Sequence, residues 1–405
     1  MEAQAPPKKT FIAALMSAAA SPRTPSYRED TYLPSHLKPS EQKSLQHLKQ
    51  SLLASSPTPH PSMWGIPLLP PDADPRGDVV LLKFLRARDF RPRDAADMLL
   101  RCLEWRRAFA ADAVAEEDLG FKELEGVVAY MRGLDRGGRP VCYNAYGVFK
   151  DKEMYERIFG DEEKLGRFLR WRVQILERGM KLLDFKPGGV NSIIQVTDLK
   201  DMPKRELRAA SNHILSLFQD NYPEMVARKI FINVPWYFSL LYSMFSPFLT
   251  QRTKTKFLIS KEGNAAETLY KFIRPEDVPV QYGGLWRAGD DLSGPAKPAS
   301  EFTVKGGEKV NIEIEGIEVD STISWDIVVG GWELEYAAEF VPNADVGYTV
   351  AVEKQRRMAA DEEAVHGSYT TREAGKLVLS VDNGTSRRRK VAAYRYTVRK
   401  SAAIV

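Results

Sequence analysis

The residues best placed to do chemistry lie between Asn221 and Ile259. The segment reads Asn221-Tyr222-Pro223-Glu224, an apolar strand, Asn233-Val234-Pro235, an aromatic helix, Ser246-Pro247-Phe248-Leu249, and then Lys254, Thr255 and Lys256 before another strand. Trp236, Tyr237, Phe238, Leu240, Leu241, Tyr242, Met244 and Phe245 surround the helix on every side. Such a helix is fully buried, touches a membrane, or lines an apolar cavity, and a buried core helix is the plainest of the three. Arg252, Lys254, Lys256 and Lys261 follow with no acid before Glu262, so an apolar surface adjoins a cationic rim. That combination suits an anionic amphiphile. By itself, Glu224 after Pro223 reads as an acid in the first turn of a helix.

Two more cation clusters stand out. Lys83-Phe84-Leu85-Arg86-Ala87-Arg88 reads by charge alone as the solvated face of a helix. Arg387, Arg388, Arg389, Lys390, Arg395, Arg399 and Lys400 give seven cations and no acid from Thr385 to Lys400, on a turn and a last strand. Each Lys or Arg near an anionic leaflet adds about 1 kcal/mol. Arg387, Arg388, Arg389 and Lys390 are therefore expected to face a membrane, against the plainer reading of a solvated loop.

Enzyme constellations are missing. There is no Walker P-loop, Gly-x-Ser-x-Gly elbow, His-Glu-x-x-His helix or Gly-x-Gly-x-x-Gly turn. Of five histidines, only His213 falls in the α/β region. Cys102 and Cys142 can form neither a disulfide framework nor a four-ligand zinc site, and a reducing cytoplasm fits them. No cofactor or metal is expected. The net charge of +4 is too small to make a nucleic acid the obvious partner.

The elements that must position these residues follow from periodicity. At 405 residues the chain predicts two or three domains. Residues 1–75 hold 13 of the 25 prolines and read as a flexible Pro/Ser-rich tail, with one helix near 41–53 carrying Leu45, Leu48 and Leu52 on one face. Within that tail, the apolar run Thr10 to Ala20 imitates a secretory signal, against which its Ala-rich composition and Glu2 argue, and a short amphipathic helix is the rival reading. Residues 76–125 predict helices split at Arg91-Pro92. From 126 to 285, a hairpin turning at Asp135 to Arg139 is followed by helices alternating with strands, which argues for a largely parallel sheet. The helix Glu163 to Leu183 carries Leu165, Leu169, Val173, Leu176, Met180 and Leu183 as its buried stripe, with Lys164, Arg167, Arg170 and Arg172 on its other face. The apolar run Ile230 to Leu249 is long enough to span a bilayer, but Pro235 and Pro247 interrupt it. Residues 286–300 form a linker, and period-two patterning over 301–400 predicts an all-β sandwich.

Leu82-Lys83-Phe84-Leu85-Arg86-Ala87-Arg88-Asp89-Phe90 with Trp105-Arg106, then Asp135-Arg136-Gly137-Gly138-Arg139-Pro140-Val141, Asp198-Leu199, and Asn221-Tyr222-Pro223-Glu224 through Pro247-Phe248-Leu249 resemble the CRAL-TRIO, or Sec14-like, lipid-transfer family. Ser324-Trp325-Asp326, Gly331-Trp332 and Ala338-Glu339-Phe340-Val341-Pro342 resemble a GOLD domain, and that order is similar to the plant patellins. The tail departs from the long acidic extension of many patellins. The resemblance implies a cavity floored by the sheet and gated by the aromatic helix, with Trp236, Phe238, Leu241, Tyr242 and Phe245 along the acyl chains. It also puts Glu224 and Lys256 at positions that contact inositol hydroxyls and phosphate in phosphatidylinositol-binding relatives, with Arg88 as a further headgroup contact. Ile193 and Gln195 stand where choline-lipid carriers use small hydroxyl residues, which disfavours choline-lipid exchange. The implied protein is a non-enzymatic phosphoinositide-binding or transfer protein, cytoplasmic and peripheral on anionic membranes of the plasma membrane, endosomes or cell plate. It would act in membrane trafficking, including cytokinesis. The alternatives are an adaptor whose GOLD domain recruits a protein partner or cargo, and an enzyme acting on lipid headgroups.

Overall fold

The computed structural model describes residues 32–55, 61–70, 74–202, 216–235, 238, 255–260, 263–287, 298–330, 334–344, 347–359 and 362–400. By packing, the chain divides into Met1–Ile259 and Ser260–Val405.

Helices open the first unit. α1 (Pro39–Ser55) buries Leu45, Leu48 and Leu52, the face expected from their spacing. α2 (Pro75–Ala87) starts where the Asp74 side chain accepts from the Arg76 amide, with Pro75 in the first turn. α3 (Pro92–Phe109) likewise begins on a proline and ends at Ala110 in the left-handed region, φ 54°. β1 (Ala129–Leu134) and β2 (Pro140–Ala145) form the expected hairpin. Its turn holds because the Asp135 carboxylate accepts from the Gly137 and Arg139 amides at 2.8 and 2.7 Å, while Gly138 takes φ 80°.

After α4 (Lys152–Phe159) and α5 (Glu162–Met180) come β3 (Ile193–Asp198), β4 (Val226–Ile232) and β5 (Phe257–Ile259). The sheet order is β1-β2-β3-β4-β5, parallel from β2 onward. Strand register places Cys142, Gln195, Lys229 and Phe257 in one row across the sheet and Asn144, Thr197, Phe231 and Ile259 in the next. Both rows share a face, because side chains two apart on a strand point the same way. α5 departs from its simple stripe: Leu165 and Leu169 are half-buried, whereas Arg172, expected on the outer face, is 2% exposed. From Trp171 to Glu177 this helix is buried around its whole circumference, so no outer face exists there.

The second unit opens with α6 (Ala265–Tyr270). Eight strands follow: β6 (Ser300–Val304), β7 (Lys309–Ile317), β8 (Ser321–Val329), β9 (Leu334–Pro342), β10 (Val350–Met358), β11 (Val365–Thr370), β12 (Gly375–Asp382) and β13 (Lys390–Lys400). They make two antiparallel sheets, β11-β8-β13-β6 and β10-β9-β12-β7. Ile323, Trp325, Ile327, Tyr336, Phe340 and Leu379 fill the space between them, and the Trp325 Nε1–H donates to Tyr336 at 2.7 Å.

Sequence patterning closes the α/β region near Leu285, whereas packing assigns residues 260–287 to the second unit. Close approach explains this: a Cβ on Gly283 or Gly330 would come within 3 Å of the Ala266 methyl. Arg395 Nη2 also donates to the Leu285 carbonyl at 3.2 Å, and Arg287 lies 3.6 Å from Asp326.

Candidate functional site

Glu224 and Lys256, 32 residues apart, meet at the end of the parallel sheet: Lys256 Nζ donates to Glu224 Oε2 at 2.9 Å, and their side chains are 8% and 7% exposed. An ion pair so dry costs desolvation that its own Coulomb energy barely offsets, so stability alone does not explain it. The Glu224 backbone is left-handed, φ 57°, which disfavours a residue bearing a Cβ. Its surroundings hold it there.

Those surroundings come from the helices. Lys83, fully buried on α2, donates to the Glu224 carbonyl at 2.9 Å and to Asn191 Oδ1 at 3.1 Å, with the Tyr32 ring 4.5 Å from its ammonium. This corrects the reading of Lys83 as part of a solvated face. Arg88 ends the same helix differently: its Nη1 donates to the Ala87 carbonyl at 3.2 Å. Among the described residues, Lys83 rather than Arg88 is the α2 cation that touches the loop.

Behind the loop sits a buried cluster absent from the sequence reading. The Glu177 carboxylate accepts from Arg106 Nη1 at 2.6 Å, from the Tyr222 hydroxyl at 2.5 Å and from Trp64 Nε1 at 3.1 Å. Burial opposes the Arg106 charge, but its bonds to Glu177 outweigh that, and the guanidinium stays ionised. Burial, reinforced by the Glu177 charge, holds the Tyr222 phenol well above its ordinary range. The Cys102 thiol, pushed up to about 12 by burial, donates to the Asn221 carbonyl at 3.4 Å. Asn221, Tyr222 and Glu224 are thus each held from α2, α3 or α5.

Lys229 adds a second cation beside the pair. Its backbone amide donates to the Lys256 carbonyl at 2.9 Å, and its half-buried side chain stands 5.9 Å from the Phe257 ring. Burial, helped by the Lys256 charge, pulls its pKa down to about 8. On the same face, Phe231 lies 5.2 Å from Phe257 and 5.5 Å from Phe238, so an aromatic floor runs from the cations toward Phe238. Trp236, Leu241, Tyr242 and Phe245 lie outside the described residues, as do the segment Thr10 to Ala20 and His213. The alternation Arg228-Lys229 inside an apolar strand was the available signal, since one of two successive residues must face inward.

The basic run near the C-terminus is not four exposed cations. Lys390 is 2% exposed, at the start of β13 opposite Val304, and Arg389 pairs with Glu267. Farther along, Arg395 pairs with Asp326 at 2.7 Å and Lys400 with Glu318 at 2.5 Å. Arg387, Arg388 and the paired Arg389 are exposed, and of these Arg387 and Arg388 are the two not engaged with Glu267. Among the described residues no helix is long and apolar enough to cross a membrane, and no cluster of His, Cys, Asp and Glu could hold a metal.

Comparison with known proteins matches residues 42–101 to the CRAL/TRIO N-terminal domain, residues 124–284 to the CRAL/TRIO domain, and residues 305–390 to the Patellin-1-like C-terminal GOLD domain. Patellin-6 of Arabidopsis thaliana is 71% identical over 399 residues, covering 98% of this chain and 96% of that protein. Patellin-3 of the same plant is 45% identical over 388 residues, covering 92% and 78%. A phosphatidylinositol transfer protein of Candida albicans, SFH5, is 31% identical over 217 residues, covering 51% and 66%. The crystal structure of Sfh5 shares the fold, with a TM-score of 0.52 and 24% identity over 64% of this chain and 90% of that one.

Proposed function

The chain belongs to the patellin family, a Sec14-like lipid-binding fold followed by a GOLD domain, and on that premise we propose that it binds and transfers phosphoinositides between membranes without catalysing a reaction on them. The observation that carries the proposal is the buried Glu224–Lys256 pair with Lys229 beside it. Glu224 accepts hydrogen bonds from inositol hydroxyls, while Lys256 and Lys229 neutralise phosphate. Such charge-assisted bonds are roughly twice as strong as neutral ones. The acyl chains lie on the floor of Phe231 and Phe257, under the aromatic helix as a gate. Membrane trafficking, including cell-plate formation in dividing cells, is the setting this ligand fits. Transfer between vesicles tests the reading: labelled phosphatidylinositol moves, labelled phosphatidylcholine does not, and equal rates for the two would overturn the inositol assignment.

The Lys229 ammonium gives the binding a pH dependence. It is charged below about pH 8, so affinity for an anionic headgroup falls as pH rises from 7 to 9. Lys229→Met flattens that profile, and an unchanged profile in the variant would remove Lys229 from the site. In lipid-free protein the sign reverses. Between about 8 and the ordinary 10.5 the unfolded chain binds more protons than the folded one, so this residue's contribution to stability rises with pH there.

The GOLD domain contacts the membrane through Arg387 and Arg388. Two exposed cations contribute about 2 kcal/mol together near an anionic leaflet, at about 1 kcal/mol each, and this contribution fades with salt. The vesicle affinity of the full chain, read by co-sedimentation with phosphatidylserine vesicles, should therefore drop about thirtyfold in the Arg387→Gln, Arg388→Gln double variant at low salt and converge with wild type at high salt. Equal sedimentation at low salt would leave a protein partner as the occupant of this surface.

A further inference from the structure

We propose that Arg172 and Asn144 form a second, interior binding site for the oxyanion head of an amphiphile, a carboxylate or a phosphomonoester, separate from the Glu224–Lys256 pair. Arg172 is 2% exposed, and its only hydrogen bond among the described residues runs from Nη2 to Asn144 Oδ1 at 2.6 Å. Among the described residues, the N–H groups on Nε and Nη1 have no acceptor and no carboxylate pairs with the guanidinium. A guanidinium stays protonated in any protein environment, so among the described residues this is a buried charge without a counter-charge. Such a charge is among the most unfavourable arrangements a core can hold.

The surroundings are built to present that charge. Asn144 is itself buried, and its Nδ2 donates to the Val196 carbonyl at 3.2 Å, which fixes Oδ1 toward Arg172. The Tyr146 and Trp171 rings each stand 5.9 Å from the guanidinium carbon, so apolar and aromatic surface surrounds it. Asn144 shares its row with Thr197 and Phe231, on the sheet face that also carries Lys229 and Phe257. Arg172 thus lies on the same side of the sheet as the proposed acyl floor, but toward β2, whereas the Glu224–Lys256 pair is at β4 and β5. A long-chain acid with its head on Arg172 would pass its chain across Phe231 and supply the missing charge.

This inference rests on the reading of that face as the lipid cavity, and the test separates the two. Fluorescent cis-parinaric acid and its neutral methyl ester are titrated into lipid-free wild type, Arg172→Met and Lys256→Met, with phosphatidylinositol loading measured alongside. Wild type and Lys256→Met are expected to bind the acid at least tenfold tighter than the ester, and Arg172→Met to bind the two alike. Lipid-free Arg172→Met is also expected to melt at a higher temperature than wild type, because an uncompensated charge has been replaced by an apolar side chain. Competition with oleate and with lysophosphatidic acid tells which oxyanion is preferred. Equal binding of acid and ester by wild type, an undiminished preference in Arg172→Met, or a lowered melting temperature in that variant would each overturn the proposal. If parinaric acid fails to bind while phosphatidylinositol still loads, this site alone is refuted; if neither loads, the cavity reading falls with it.

Discussion

Lys256→Met is expected to destabilise the lipid-free protein by about 3–5 kcal/mol and to abolish inositol-lipid retention, because it removes the cation that pairs with the buried Glu224 carboxylate. Their 2.9 Å contact and near-complete burial put the pair in the range where losing one partner costs far more than losing both. The double variant Glu224→Gln, Lys256→Met should accordingly recover most of the lost stability, since neither remaining side chain is charged. Binding should not recover. Denaturant unfolding gives the first quantity and lipid loading the second. A pair kept for stability alone would show the opposite pattern, with the double variant still destabilised and still binding.

The second large effect belongs to Glu177. Glu177→Leu removes the acceptor of three donors, buried Arg106 and Tyr222 and half-buried Trp64, and leaves the Arg106 guanidinium with only the exposed Asp112 carboxylate among the described residues, so a loss of about 3–5 kcal/mol is expected. Tyr222→Phe is the gentler probe, at about 1.5–3 kcal/mol for a hydrogen bond to a charged group. Since Tyr222 lies two residues before Glu224, the phenylalanine variant should also speed amide hydrogen exchange from Asn221 to Met225. Unaltered exchange in that segment would mean that the cluster stabilises the helices without steadying the loop.

These two sites differ in how far the sequence disclosed them. Periodicity and turn chemistry recovered α1, the proline that starts α3, the Asp135 turn and the parallel strands, because each rests on local chemistry: apolar spacing, a missing amide hydrogen, or paired glycines. Glu224 and Lys256 were legible only through family resemblance, since their meeting is a tertiary event across 32 residues. Lys83, Arg172 and Lys390 were all misplaced toward solvent for one reason. Charge patterning assigns cations to outer faces, and it fails where a helix or strand is enclosed on all sides. For Lys83 a signal existed, since it interrupts the run Val79 to Leu85, in which every residue is buried. A lysine inside such a run has no solvent to point to. Glu177 offered no comparable cue, because its partners come from segments 45, 71 and 113 residues away.

Mass spectrometry of the lipid retained by the purified full-length protein tests the central claim most directly, with wild type beside the Glu224→Gln, Lys256→Met variant. The account predicts that wild type carries phosphatidylinositol or its phosphorylated forms at close to one per chain, and that the folded double variant carries none. Phosphatidylcholine as the main lipid of wild type, or equal inositol-lipid content in the two proteins, would contradict it.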